Sequence, residues 1–175
     1  MFLTSLLRKS RSTSARSNSY RPLVEALDQR IVPANAHFVS ASSLVNATTG
    51  ALTVDFHEAG LGNTVSVDAT LTADANATYQ WLNHGGNKPM GVPFNVNQTI
   101  SVSGTFTSDS NGQIKGSLTV NPPSVDEFLS TQHAANWIPQ LTVSYTNVVV
   151  TDTTNGVSTA DAGINLDQPL TVIQL

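Results

Sequence analysis

The sequence has no cysteine and few charged residues, and both shortages restrict what the protein can be. Its 175 residues include 8 basic and 12 acidic side chains, or 11% of the chain. The absence of cysteine excludes disulfide bonds, thiolate metal sites and cysteine nucleophiles. Hydrophobic residues make up 39%, which is enough for a core and argues against general disorder. Because no run of eighteen apolar residues is present, we expect no integral membrane span.

The few charges are unevenly distributed. Residues 1–34 hold six of the eight basic residues against two acidic ones, a net charge of +4, whereas the remainder carries −8. We interpret residues 1–36 as a largely disordered basic targeting segment and residues 37–175 as one domain. A disordered tail without a targeting role is the alternative. We expect no nucleic-acid partner, because the basic segment has few aromatics and the acidic body would repel phosphates.

Within the basic segment, residues 22–31 have the pattern of a short amphipathic helix. Apolar residues recur at every fourth position, Pro22 suits the first helical position and Pro33 stops the helix. Beyond it, Ala34 and Ala36 flank Asn35 in an A-x-A sequence of the kind that signal peptidases cut. We therefore predict a short helix followed by a cleavage site at Ala34 and Ala36.

The letters RPLVEALDQRIVPA at residues 21–34 resemble the segment that opens many exported proteins of planctomycete-type bacteria. That family often has glutamate where this chain has Asp28. The resemblance implies export, and hence a secreted or cell-surface location. It implies no activity.

After residue 36, apolar and polar residues alternate with a period of two. The clearest runs are residues 52–56, 65–71, 100–106, 114–120 and 141–145. Such alternation is typical of antiparallel strands with one buried face, and glycine- and asparagine-rich turn signals separate the runs. We therefore predict an all-β protein, an immunoglobulin-like antiparallel β-sandwich of about 7–9 strands, preceded by the short helix.

One strand pairing carries a packing prediction. If residues 108–112 close a hairpin, Gly104 pairs with Gly116 and the two glycines face the core side by side. Two residues without side chains leave a trough that a large ring should fill. The candidates for that ring are Trp81, Trp137 and Tyr145.

Several stretches of the body share a second resemblance. They are FVSAS (38–42), LTVDFHEAGLG (52–62), TADANATY (72–79), SGTF (103–106), NGQ (111–113), VSYTNV (143–148) and DTTNG (152–156). Over most of residues 37–157 the chain is similar to a widespread family of small exported bacterial domains of unknown function. Its members usually carry cysteines after the Tyr79 and Phe128 regions, so the resemblance implies that Trp81, Phe128 or Trp137 holds those loops in this chain by packing. It implies no activity.

Residues able to carry catalysis are scattered along the chain. None of the four histidines stands four residues from another, and alternation puts His57 beside Asp55 on the polar face of its strand. No G-x-S-x-G or H-E-x-x-H motif is present. We expect no enzyme; a hydrolase, the catalytic alternative, would need a pocket with two shifted titratable groups.

The best ligand-binding candidates are aromatic. Exposed rings stack on sugars and other flat ligands, which favours Tyr79, Trp81, His84 and Trp137. The alternative, which we favour, is that both tryptophans belong to the core.

Calcium is the one cofactor that the sequence leaves open. Asp109 and Asn111 resemble the first half of a calcium loop, but no glutamate ends the loop. The same two residues are good turn formers. We expect no other cofactor.

These observations predict an exported structural or adhesive surface module without catalysis. The alternative is a carbohydrate- or ligand-binding module that uses exposed aromatics, and the partner in either case would be a cell-surface polysaccharide or protein. Residues 170–175 form a short apolar run that could pair with a neighbouring molecule's sheet or, as we favour, with its own.

Overall fold

A computed structural model describes residues 35–83, 85, 89–124 and 137–174 of the chain. This part contains strands and turns but no helix, which confirms the all-β class. The strands are β1 (His37–Val45), β2 (Leu52–Ala59), β3 (Ser66–Asn83), β4 (Pro89–Thr107), β5 (Gln113–Val120), β6 (Trp137–Asp152), β7 (Val157–Ser158) and β8 (Gln168–Gln174). The helix predicted at residues 22–31 lies outside the described residues.

The strands form two antiparallel sheets. Sheet A has the order β1-β2-β5, and sheet B has the order β4-β3-β6-β7, with β8 also paired to β6. In sheet A, Phe56 lies opposite Ala41 and Gly116, and in sheet B, Ala75 lies opposite Gln98 and Tyr145. Every pairing between these eight strands of the described residues is antiparallel.

One apolar core lies between the two sheets. Alternate residues of β2 and β3 are buried, because each strand turns one side of its pleat inward. The core residues of these two strands are Leu52, Val54, Phe56, Val67, Ala69, Leu71, Ala73, Ala75, Ala77 and Tyr79. The period of two in the sequence thus selects the correct buried face.

The hairpin predicted at residues 108–112 is wrong. Phe106 pairs with Val67 in sheet B, whereas Ile114 pairs with Glu58 in sheet A, so this connection crosses from one sheet to the other. The buried Ser108 side chain accepts a hydrogen bond from the Val65 amide at 2.8 Å and donates one to a loop carbonyl. These bonds tie the connection to the turn before β3, away from the geometry of a two-stranded hairpin.

The space beside the two glycines is nevertheless filled by aromatic rings. A Cβ on Gly116 would lie 2.4 Å from Phe56 Cζ and 2.8 Å from Phe106 Cε1. The two phenylalanine rings pack edge to face with centroids 5.1 Å apart. The prediction of a ring over a paired Gly104 and Gly116 is therefore wrong, because the two glycines lie in different sheets and the nearby rings are those of Phe56 and Phe106. The three predicted rings, Trp81, Trp137 and Tyr145, are not the ones nearest to these glycines.

Long-range hydrogen bonds close the domain at its edges. The buried Tyr145 hydroxyl donates to the Gly50 carbonyl at 2.6 Å, and burial raises the pKa of that hydroxyl, so it stays protonated. Ser43 of β1 donates to the Leu166 carbonyl at 2.7 Å, and Gln168 of β8 donates to the Ser43 hydroxyl at 2.7 Å. Because β8 pairs with β6 of the same chain, the favoured prediction for the C-terminal strand is confirmed.

Candidate functional site

Three of the residues predicted to bind ligands, Tyr79, Trp81 and Trp137, lie toward one end of sheet B. Tyr79 is only 4% exposed, and its hydroxyl donates to the Pro123 carbonyl. Trp81 packs half-buried against the core. Trp137 is also half-buried and lies opposite Asn83, which places it on the same face of the sheet as Trp81 because residues alternate.

The burial of these side chains settles the predicted ligand-binding role of only one of the four residues. Tyr79 belongs to the core, so its ring face is not available for stacking. Trp81 and Trp137 are neither fully buried nor fully exposed, and their binding role stays a prediction. His84 lies outside the described residues.

Asp109 and Asn111 form a turn. The Asp109 carboxylate accepts hydrogen bonds from the Asn111 amide at 2.8 Å and the Gln113 amide at 3.0 Å, and Gly112 takes the positive φ of 70° that the turn needs. In the described part of the chain, no three His, Cys, Asp or Glu residues converge on a position for a metal ion. The turn-forming alternative accounts for both of these hydrogen bonds.

The predicted cleavage site lies directly before the first strand. Ala36 is half-buried and β1 begins at the next residue, His37. Ala34 lies outside the described residues.

A shallow cleft on the outer face of sheet A is a candidate site that the sequence did not reveal. Its volume is about 660 Å³, and neighbouring strands contribute two cross-strand rows of polar side chains. The rows are Ser42, Asp55 and Ser117, and Ser40, His57 and Lys115. The cleft thus combines one acid, one base, an imidazole and three hydroxyls.

The charges of this cleft face solvent. Asp55 and Lys115 are exposed, and His57 Nε2 lies 3.3 Å from the Gln113 side-chain oxygen. Alternation correctly predicted that Asp55 and His57 point outward. It could not show that β1 and β5 flank β2, and that order brings the serines and Lys115 to them.

Several polar side chains on the outer face of sheet B bond to one another across the strands. Thr70 bonds with Ser103 at 2.8 Å, and Thr78 donates to Asn95 at 2.7 Å. Asp74 accepts from Thr99 at 2.6 Å, and Asn147 donates to its other oxygen. The bond from Asn147, followed by that from Thr99, lowers the pKa of Asp74.

A pair of carboxyl groups lies in the interior. Glu58 of β2 and Asp152 of β6 are both 0% exposed. Neither oxygen of Glu58 meets hydrogen-bond geometry with any described residue. Desolvation by burial, followed by the Asp152 side chain and its charge, raises the pKa of Glu58 to about 8. The sequence held a signal for this position, since the alternation of Val54 and Phe56 continues inward to Glu58.

The sequence matches no family model and no curated protein. Among the described residues, no helix has the length and apolar character needed to cross a membrane. The likenesses of residues 21–34 and 37–157 to exported proteins therefore stay predictions.

Proposed function

We propose that this chain is an exported, non-catalytic surface module with a structural or adhesive role. The observation that carries the proposal is the start of β1 at His37, immediately after the A-x-A sequence. Cleavage after Ala36 would release the body without cutting a strand. The change from a net charge of +4 to −8 occurs at the same boundary, as a detachable targeting segment requires.

The outer surface of the body supports this role. Hydroxyls and amides on sheet B bond to one another across strands, so these polar groups satisfy one another. Such a face suits a protein that remains in contact with water. The crossing from β4 in sheet B to β5 in sheet A supports an immunoglobulin-like sandwich, in which strand connections pass between facing sheets.

N-terminal sequencing of the protein recovered from separated cell fractions tests the proposal. We expect a mature end at His37 outside the cytoplasm. Ala36→Arg should block cleavage and leave the full-length chain, whereas Leu44→Arg, at an exposed position of β1, should be processed normally. An intact Met1 on a cytoplasmic wild-type protein would overturn the proposal.

A second candidate function is ligand binding, and the cleft on sheet A favours it. Its volume of about 660 Å³ lies within the range of small-ligand sites. Asp55 can accept hydrogen bonds, Lys115 can donate them, and the serines can do both. This combination can recognise adjacent hydroxyl groups on a ligand. The ligand would be a carbohydrate segment held by hydrogen bonds.

Binding to an immobilised panel of neutral and acidic oligosaccharides tests the second candidate. If the cleft binds, Asp55→Ala and Lys115→Ala should each weaken binding about ten-fold, the effect of about 1.4 kcal/mol. Thr53→Ala, on the same strand but outside the cleft, should not. Loss of binding in Trp81→Ala alone would assign the ligand to the aromatic residues instead.

A further inference from the structure

Glu58 and Asp152 connect the two sheets at one end of the domain. Glu58 is the next-to-last residue of β2 in sheet A, and Asp152 is the last residue of β6 in sheet B. Both side chains are fully buried, and they are close enough to interact directly. Two carboxyl groups therefore meet in the apolar interior, where two negative charges would repel strongly.

The two acids have different surroundings. One oxygen of Asp152 accepts hydrogen bonds from the backbone amides of Thr154 and Asn155 at 2.8 and 2.9 Å. The other oxygen accepts a hydrogen bond from the Asn155 side chain at 2.6 Å. Glu58 has no such donors among the described residues. Hydrogen bonds to a carboxylate stabilise its charged form, and Glu58 is the acid that lacks them, so Glu58 is the group that takes the proton.

Other charged groups near this end of the domain point elsewhere. On the strands beside β2, His37 and Lys115 are exposed, and the residues opposite Glu58 are Phe38 and Ile114. His57 and Asp55 of β2 face outward. In sheet B, Asp68 accepts a hydrogen bond from Thr105 on the outer face, and Asp109 and Asp161 are exposed in turns. Among the residues that the structure describes, Asp152 is thus the titratable group that faces Glu58.

We propose that Glu58 and Asp152 share one proton across the interior, and that loss of this proton in mildly alkaline solution loosens the end of the sandwich where β2 and β6 terminate. The pair acts as a pH-sensitive latch between the sheets. A proton on Glu58 removes one of the two negative charges and with it the repulsion between the two buried carboxyl groups.

The direction of the pH dependence follows from the pKa of Glu58. It is about 8 in the folded chain against an ordinary value of 4.5, so between these values the folded state holds a proton that the unfolded state has released. Folding stability from this group is therefore greatest below pH 4.5, falls as the pH rises toward 8, and is constant above that. The unfolding constant should rise on the order of 100-fold or more between pH 5 and pH 9.

Urea unfolding of the full chain from pH 5 to pH 9 tests the proposal. We expect Glu58→Gln, which keeps the shape and a donor toward Asp152, to remove most of the wild-type pH dependence. Asp55→Asn, an exposed change on the same strand, should keep it. The proposal is overturned if Glu58→Gln and wild type show the same dependence, or if wild type shows none.

A measurement on the wild type keeps the test independent of whether the variants fold. Carbon-13 NMR of the Glu58 carboxyl should show it protonated at pH 6 and titrating in the alkaline range. Hydrogen exchange, corrected for its intrinsic pH dependence, should increase first near Ala59 and Asp152 and later near Leu52. A Glu58 carboxyl ionised at pH 6 would overturn the proposal of a shared proton. A gain of stability on adding calcium that Glu58→Gln abolishes would also overturn it, because the pair would then hold a cation and not a proton.

Discussion

Gly116 determines how closely the phenylalanine rings approach sheet A. A Cβ at this position would lie 2.4 and 2.7 Å from two atoms of Phe56 and 2.8 Å from Phe106, distances at which the rings would have to move. At Gly104 the nearest atom is Leu118 Cδ2 at 3.1 Å, the end of a flexible side chain. The two glycines therefore differ in how strictly they exclude a side chain.

We expect Gly116→Ala to destabilise the protein by about 1–3 kcal/mol through overpacking. Gly104→Ala should cost less than about 1 kcal/mol, because Leu118 can shift. Urea unfolding of both variants at one pH gives the comparison. Equal losses would show that the rings do not restrict Gly116.

Asn147 contributes through both its backbone and its side chain. It has a φ of 51°, a left-handed conformation that asparagine tolerates better than most residues. Its amide donates to Asp74 at 2.8 Å and is the main reason that the pKa of Asp74 is lowered. Substitutions can separate these two contributions.

Asn147→Ala and Asn147→Gly should both return the pKa of Asp74 toward its ordinary value, because both remove the amide donor. Only the alanine variant also strains the backbone, so we expect it to be about 1 kcal/mol less stable than the glycine variant. Carbon-13 titration of the Asp74 carboxyl and urea unfolding measure the two effects. An unchanged Asp74 pKa in both variants would contradict the assignment to Asn147.

At the scale of the strands, β6 joins elements that are distant in the sequence. It pairs with β3 on one flank and with β7 and β8 on the other. Its Tyr145 hydroxyl bonds to the carbonyl of Gly50, in the turn between β1 and β2. This contact links sheet B to the turn of sheet A through a buried hydrogen bond.

Tyr145→Phe should destabilise the protein by about 1–2 kcal/mol, because it leaves the Gly50 carbonyl without this donor. Thr53→Val also removes a hydroxyl, but from a pair with Thr119 on the outer face of sheet A, and should change stability by less than about 0.5 kcal/mol. Thermal unfolding of both variants makes the comparison. A Tyr145→Phe loss as small as that of Thr53→Val would contradict the role of this bond.

The strands could be predicted because alternation is a local property. Residues 52–56 identify the buried face of β2 and the outward positions of Asp55 and His57. Strand partners are not local, and the choice between Phe106–Ile114 and the observed Phe106–Val67 pairing depends on side-chain bonds such as those of Ser108. The cleft on sheet A and the facing of Glu58 with Asp152 depend on those partners, so neither could be derived from the sequence alone.

At the scale of the whole molecule, two groups with opposite pKa shifts contribute to the pH dependence of stability. Asp74 has a lowered pKa, so its contribution is present above its ordinary value of 3.8 and is lost as the solution becomes more acidic. Glu58 has a raised pKa, so its contribution is lost as the pH rises above 4.5 toward 8. Both contributions to stability are therefore present together only in a narrow range of pH.

We therefore expect thermal stability to be greatest at about pH 4–5 and to decline on both sides. Melting temperatures of the full chain in buffers from pH 3 to pH 9 test this. In Glu58→Gln the maximum should broaden toward neutral pH. A wild-type maximum at pH 7 or above would contradict the expectation.

The bonds that join Ser43 to Leu166 and Gln168 have a consequence for the timing of folding. They connect residues more than a hundred positions apart. Until Leu166 and Gln168 have been synthesised, β1 can pair with β2 but lacks these contacts. Contacts of such separation make folding slow. A chain emerging from the ribosome therefore completes the contacts of β1 only after Leu166 and Gln168 have been released.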